Sequence, residues 1–406
     1  DWGMQYSVKA WVDPFETWRE GMIKKANANQ DISVDLRVGA SFLEHACQNS
    51  PKNDSERIGL WRQFLLSDES LAKKLVLIES DEMSQLMGLY GEKRSLTTYS
   101  KTLELVVDPV KAQFSAWYEV FPRSYGPNGQ HGTFKDLGAQ LNSIAKMEFD
   151  TLYLPPIHPI GLTHRKGKNY SVHCTPQDPG SPWAIGSKEG GHKAVHPQLG
   201  TLEDFRTLVQ KAKSLNIDVA LDIAFQCSPD HPYVKDHPEW FVMRPDGTIQ
   251  YAENPPKKYQ DIYPLNFDTT NWQELWQELK SIFLFWMEQG VQIFRVDNPH
   301  TKSLAFWEWV IREIKTMNPS VIFLSEAFTR PKVMYRLAKL GFSQSYTYFT
   351  WRNSKSELEE YLMELTRTEV SEFFRPNFWP NTPDILSEHL QQNGRNAFIH
   401  RLILAA

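Results

Sequence analysis

Apolar positions follow two different rhythms along the chain. Up to residue 107, the stretches YSVKAWVD and DISVDLRVG alternate apolar and polar residues as half-buried strands do. A charge-rich helical stretch follows (SERIGLWRQFLLSDESLAKKLVLIES), and TTYSKTLELVVDP alternates again. This predicts part of a β-sandwich over residues 1–107, with a small helical insertion at about residues 50–92. From about Val110 the pattern changes to short apolar strands alternating with amphipathic helices. The predicted strands are FSAWYEVFP, TLYLPPI, DVALDIAF, VQIFRVD, VIFLSEAF, SYTYF and EFFRPNFW, with helical runs such as FKDLGAQLNSIAKM and LEDFRTLVQKAKSL between them.

Repeated βα units of this kind imply a parallel sheet. The predicted fold class is α/β, a (β/α)8-type TIM barrel over residues 108–406 whose chain ends after the seventh unit, so that its eighth unit is missing. A doubly wound open sheet is the other arrangement, but no glycine-rich phosphate turn follows the first strand. Two predicted loops, residues 158–200 and 226–270, are far longer than a βα connection requires. Both leave the C-terminal ends of strands, where barrel enzymes carry their sites. The opening DWGMQYSVKAW begins mid-pattern and reads as a trimmed start.

Composition narrows the function classes. The 406 residues carry a formal net charge of -5, which argues against nucleic acid or an anionic membrane as partner. No apolar run approaches the roughly 20 residues that span a bilayer, and no basic-then-apolar signal opens the chain. Cys47, Cys174 and Cys227 lack metal-type spacing, which suits reduced thiols in the cytoplasm. Aromatic residues stand beside polar ones in irregular stretches, among them Trp183, Trp240, Tyr259, Tyr263, Trp351 and Trp379. Such platforms suit the C–H faces of sugar rings, and equally they serve as core filler.

The candidate chemistry lies at strand ends. In VQIFRVDNPH, an apolar strand delivers Arg295, Asp297 and Asn298 almost to one point. Asp222, Asp297 and Glu326 end the third, fourth and fifth predicted strands, and Asp384 follows the seventh. Asp297 and Glu326 belong to adjacent strands. Two carboxyl groups about 5–5.5 Å apart are what retaining glycoside chemistry requires, one as nucleophile and one as general acid/base. Burial and like-charge repulsion then separate their proton affinities. Arg295, on the same strand face as Asp297, keeps it ionised. Asp384 is suited to stabilising positive charge on the sugar. The competing readings are a helix cap or turn for each single aspartate, a purely structural ion network, and a nucleophilic Cys227 in QCSPDHP. A catalytic metal is the fourth, but the histidines (His158, His164, His192, His196, His231, His237 and His300) have no metal-site spacing. No metal and no cofactor is expected.

The segments DIAFQCSPDHP, FRVDNPHT, LSEAFTRP and PNTPDIL, in this order, resemble the four sequence regions of the α-amylase superfamily of glycoside hydrolases. With LPPIHPIG, HRKGKN, PWAIGSKEGGH, HPQLGTLEDF, AENPPKKYQDIYP and QSYTYFTWRN, the chain is similar more narrowly to the bacterial α-1,4-glucan:maltose-1-phosphate maltosyltransferases. The resemblance implies a homodimeric, cytoplasmic enzyme that moves maltosyl units from α-maltose 1-phosphate to the non-reducing end of an α-1,4-glucan, releasing phosphate with retention. It also implies Asp297 as nucleophile, Glu326 as general acid/base, Asp384 as transition-state stabiliser, and Lys166, Gln226, Asp261 and Asn298 as donor-binding residues. Asn254 and Tyr259, in the loop AENPPKKYQ, are further candidates for phosphate contact. Starch-cleaving members carry Asn-His after the first-region aspartate and His-Asp in the fourth region. Here Asp222-Ile-Ala-Phe-Gln-Cys and Pro383-Asp384 stand in those places. An α-glucan hydrolase and a non-catalytic glucan-binding scaffold are the other functions considered. The family also has a Lys-Tyr donor-binding pair and a C-terminal β-domain, and this chain ends before both.

Overall fold

The computed structural model describes residues 3–406, which divide into two compact units, Gly3–Val106 and Val107–Ala406. In the first unit, Gly3–Tyr6 pairs antiparallel with Leu103–Val106, and Lys9–Val12 with Arg94–Thr98. They form two separate two-stranded sheets. Between the strands lie five helices: Pro14–Asn27, Ser33–Gln48, Lys52–Leu66, Leu71–Ile78 and Asp81–Tyr90. The helical part therefore begins at Pro14 and not near residue 50. Its start is encoded by Asp13, which accepts from the Glu16 N–H, and by proline at the first helical position. DISVDLRVG, expected as a strand, is mostly the start of Ser33–Gln48. Its apolar residues continue at helical spacing, so that Gly39, Ala40, Leu43 and Ala46 are buried on one face. That face packs with Phe15, Trp18, Met22, Ile58 and Met87. Gly39 has to be glycine, because a Cβ there would lie 2.1 Å from the Trp18 ring.

The second unit contains seven parallel strands: β1 (Trp117–Glu119), β2 (Thr151–Leu154), β3 (Asp218–Ile223), β4 (Ile293–Asp297), β5 (Ile322–Glu326), β6 (Gln344–Tyr346) and β7 (Pro376–Asn377). They are hydrogen-bonded in sequence order. After them come α1 (Phe134–Lys146), α2 (Leu202–Ser214), α3 (Trp272–Glu288), α4 (Leu304–Met317), α5 (Pro331–Lys339), α6 (Lys355–Arg367) and α7 (Glu388–Ala405). Capping boxes at Thr133, Thr201 and Ser354 start α1, α2 and α6. Strands β2, β4 and β5 are buried throughout, as a parallel sheet covered by helices requires. Along β4, Phe294 and Val296 join the core formed with the helices, including Leu279 and Phe283 of α3. Ile293 points to the opposite face, where it packs with Tyr153, Ala220 and Ile322. Arg295 and Asp297 follow Ile293 at two-residue spacing on that inner face. This curled seven-stranded sheet is that of a partial TIM barrel. At its edge a cleft of about 430 Å³ is lined by Trp117, Glu119, Tyr153, Tyr346 and Trp379.

The two long loops are ordered. In the second, Gln226–Cys227 pairs with Tyr263–Pro264, and Ala252–Asn254 forms a hairpin with Lys257–Tyr259. Among the described residues no helix is long and apolar enough to cross a membrane.

Candidate active site

Strand register builds the centre of the site. Arg295 pairs with Asp222 across β4 and β3, and Asp297 with Glu326 across β4 and β5. Arg295 and Asp297 share a face because they are two residues apart. The Arg295 guanidinium consequently reaches three carboxylates. Its Nη1 donates to Asp222 Oδ2 at 2.9 Å and to Asp297 Oδ1 at 2.8 Å, and its Nη2 lies 3.1 Å from Glu326 Oε1. None of the four residues is more than 8% exposed. The rings of Tyr153 and Tyr346 lie 5.9 and 5.6 Å from the guanidinium and add cation–π attraction. The Tyr153 hydroxyl donates to Asp222 Oδ2 at 2.5 Å.

Three carboxylates around one guanidinium cannot all be comfortably ionised in a dry site. Burial pushes Glu326 up to about 7, against the pull of Arg295, and repulsion from Asp297 adds to the rise. Asp222 is likewise pushed up to about 7 by burial, with Asp297 again contributing. The arrangement can therefore hold a proton on Glu326 close to neutrality while Arg295 stabilises negative charge on Asp297. The backbone N–H of Asn298 donates to Glu326 Oε2 at 3.2 Å, and its side-chain amide donates to Asp297 Oδ2 at 3.4 Å.

The long loops supply a second group. Lys166 Nζ donates to Gln260 Oε1 at 2.9 Å and lies 4.0 Å from Asp261 Oδ1. Tyr170 donates to Asp261 and makes an edge contact with Tyr259. Lys166, Asp261 and Tyr259 are thus brought together, with Gln260 and Tyr170 as partners the sequence pattern did not single out. Lys166 and Asp261 are both buried, and burial raises the proton affinity of Asp261 against the pull of Lys166. Gln226 is half-buried and donates to the Trp183 carbonyl at 3.3 Å. Asn254 is exposed on its hairpin. Asp384 is exposed as well and outside the Arg295 cluster, its carboxylate accepting from Thr382 Oγ1 at 2.7 Å.

Three further groups take their roles from the fold. Asp222 is neither helix cap nor turn residue but a full member of the cluster. Tyr153 fixes it. Glu119, at the end of β1, is pushed up to about 8 by burial, with Asp222, Asp384 and Glu326 adding to the rise. A carboxylate pattern at strand ends could have flagged Glu119 in AWYEVFP; nothing local marks Tyr153. The Cys227 thiol is buried, and burial drives its proton affinity up, contrary to what a nucleophile needs.

His192, Cys227 and His231 lie close enough to share a metal ion, but hydrogen bonds already assign their nitrogens. The Tyr233 N–H donates to His231 Nδ1, so the His231 proton sits on Nε2 and is donated to His192 Nδ1 at 3.0 Å. His192 Nε2–H then donates to the Ala224 carbonyl at 2.9 Å. Ligation through His231 Nε2 would move its proton to Nδ1, against the Tyr233 N–H. These residues fit a metal poorly.

The seven-stranded sheet matches that of α-amylase-family enzymes. Among solved structures, an α-amylase from Lactobacillus plantarum superposes with a TM-score of 0.52 at 26% identity, over 64% of this chain and 61% of that one. A trehalose-6-phosphate hydrolase from Bacillus licheniformis shares the fold at a TM-score of 0.54 and 16% identity, over 70% of this chain and 60% of that one. A family profile described as α-1,4-glucan:maltose-1-phosphate maltosyltransferase, domain N/S, matches residues 3–109. Proteins of that name from Chlorobaculum tepidum and Methylacidiphilum infernorum are 55% and 56% identical over 99% of this chain. The Streptomyces coelicolor relative is 52% identical over the same share. Over nearly its whole length the chain is thus similar to proteins named α-1,4-glucan:maltose-1-phosphate maltosyltransferase. It spans about 60% of the length of the curated relatives it matches.

Proposed function

We propose that this chain carries the catalytic centre of a retaining transferase that moves maltosyl units from α-maltose 1-phosphate to the non-reducing end of an α-1,4-glucan. The observation that carries the reading is the Asp297–Glu326 register pair bridged by one buried guanidinium. In the first step an Asp297 oxygen attacks the anomeric carbon, the bond from that carbon to the phosphate oxygen breaks, and Glu326 passes its proton to the departing phosphate. In the second step the acceptor 4-hydroxyl attacks the same carbon from the vacated face. Glu326 takes its proton, and the Asp297 ester bond breaks. Two inversions give retention.

The electrostatics favour this division. Asp297 raises the proton affinity of Glu326. Esterifying Asp297 removes that charge, so Glu326 gives up its proton more readily and becomes the base the second step needs. Lys166, Gln226, Asp261 and Asn298, with Asn254 and Tyr259, are assigned to the donor. Lys166 suits phosphate or sugar hydroxyls as a point charge, and the amides bind hydroxyls. Asp384 is assigned to stabilising the oxocarbenium-like transition state, and its exposed position implies that it engages when sugar fills the cleft. The reading extends to a closed eightfold barrel, an N-terminal β-sandwich, a homodimer and a cytoplasmic location, each resting on the family relationship.

The test is release of inorganic phosphate from α-maltose 1-phosphate by the full-length protein, with and without maltohexaose. Acceptor-dependent release, with products two glucose units longer, is expected. Shortening of maltohexaose without phosphate release would overturn the transferase reading in favour of a hydrolase. Within the reading, a donor with an activated leaving group should partly restore the first step in Glu326→Ala but not in Asp297→Ala.

A further inference from the structure

Lys302 is five residues beyond Asp297, in the connection between β4 and α4. Its ammonium makes no ion pair among the described residues. It points back at its own chain, with Nζ 3.4 Å from the Asp297 carbonyl, 3.2 Å from the Asn298 carbonyl and 3.1 Å from Thr301 Oγ1. A surface lysine ordinarily extends its amine into water. Here burial lowers its proton affinity, opposed by Asp297, Glu326 and Asp222.

The segment it holds is strained. Asn298 has φ 41° and ψ 54°, in the left-handed region, and proline follows. Asparagine tolerates that region better than most residues, but a following proline favours extended backbone. Such a conformation persists only where its surroundings over-determine it. The Thr301 hydroxyl donates to the Asn298 carbonyl at 2.8 Å, and the Thr301 N–H also bonds that oxygen. Among the described residues, Lys302 is the one charged group on these carbonyls. From the other side of the turn, the Asn298 N–H reaches Glu326 and its amide reaches Asp297.

We propose that Lys302 is a positioning residue for the transfer reaction: its ammonium clasps the Asp297 and Asn298 carbonyls, fixes the left-handed turn, and so sets the hydrogen bonds by which that turn orients both carboxylates. This rests on the function proposed above. The groups facing Glu326 are then Asp222 from β3, Arg295 and Asp297 from β4, Glu119 from β1 and Tyr346 from β6, with Lys302 as the second cation and His300 beside it. Loss of the ammonium both loosens the turn and raises the proton affinity of Glu326.

The test compares Lys302→Met and Lys302→Arg with wild type in the full-length protein. Lys302→Gln, which keeps one donor without the charge, gives the same comparison should the methionine variant not fold. The uncharged variants are expected to lose about 10–100-fold in kcat, as small misplacements of reacting groups do. KM for the donor should change much less, the alkaline limb of the pH profile should move upward, and arginine should restore part of the rate. A pH profile identical to wild type, or no rescue by arginine, would overturn the proposal. An activated maltosyl fluoride separates the two levels of inference, with the covalent adduct on Asp297 followed by intact mass. No adduct in wild type would refute the double displacement itself. Equal labelling rates in wild type and Lys302→Met at every pH would refute only the clasp.

Discussion

Asp222→Asn removes one negative charge from the Arg295 cluster and leaves its shape almost unchanged. The amide oxygen can take the place of Oδ2, accepting from Tyr153 and Arg295, while the amide nitrogen occupies the position of Oδ1, which is buried and has no hydrogen-bond partner among the described residues. Weakening the charge-assisted bond to Arg295 costs about 1–3 kcal/mol of stability. The larger signal is electrostatic. Asp222 and Glu326 sit on opposite terminal nitrogens of one guanidinium; two full charges at a separation of about 7 Å repel by about 2 kcal/mol at an effective dielectric of 20. One pKa unit corresponds to about 1.4 kcal/mol. Asp222 is itself pushed up to about 7, so it is only partly ionised near neutrality. Removing it should lower the pH at which Glu326 deprotonates by roughly half a unit to one unit. Arg295, freed from one partner, acts in the same direction. The assay is kcat/KM for phosphate release against pH, which reports groups of the free enzyme, alongside a thermal melt. The alkaline limb is expected to move to lower pH. An unmoved limb with a lowered melting temperature would make Asp222 purely structural, and an upward move would refute the electrostatic account of the cluster.

Two other perturbations have clear signs. Glu119 takes up its proton more readily in the fold than its unperturbed value of 4.5, rising to about 8. Its contribution to stability is therefore present below pH 4.5 and lost as pH climbs toward 8. Glu119→Gln should keep wild-type activity at pH 7, and its melting temperature relative to wild type should rise between pH 5 and 8; a constant difference would remove the protonated assignment. Gly186 has φ 108°, and a Cβ there would lie 2.3 Å from His231 Cδ2. Gly186→Ala should cost about 1–3 kcal/mol from overpacking, with backbone strain in addition, seen as a lower denaturation midpoint.

What the sequence disclosed follows from the range of the interactions. Strand periodicity is local, so the order of the βα units and the strand-end places of Asp222, Asp297 and Glu326 were legible. The DISVDLRVG stretch misled because Val34, Leu36 and Val38 alternate while Leu36, Ala40 and Leu43 also fit a helical stripe, and burial beside Trp18 favours the helix. The proton-holding role of Asp222 was not legible, because it depends on a guanidinium 73 residues away. Tyr153 and Glu119 take their significance from strands β3 to β6, which no window of sequence contains. Asp384 was singled out by its place after the seventh strand and by its motif, Asn254 by its loop, and both are exposed.

Arg295 ties β3, β4 and β5 together at one point. A strand sliding by a single position would turn its side chains to the opposite face and cost the buried guanidinium a carboxylate that it meets across the sheet. The contacts proposed to prepare the reaction therefore also proofread the assembly of the sheet. Under the proposed function, a chain that closed in the wrong register would lose stability and the reactive geometry together.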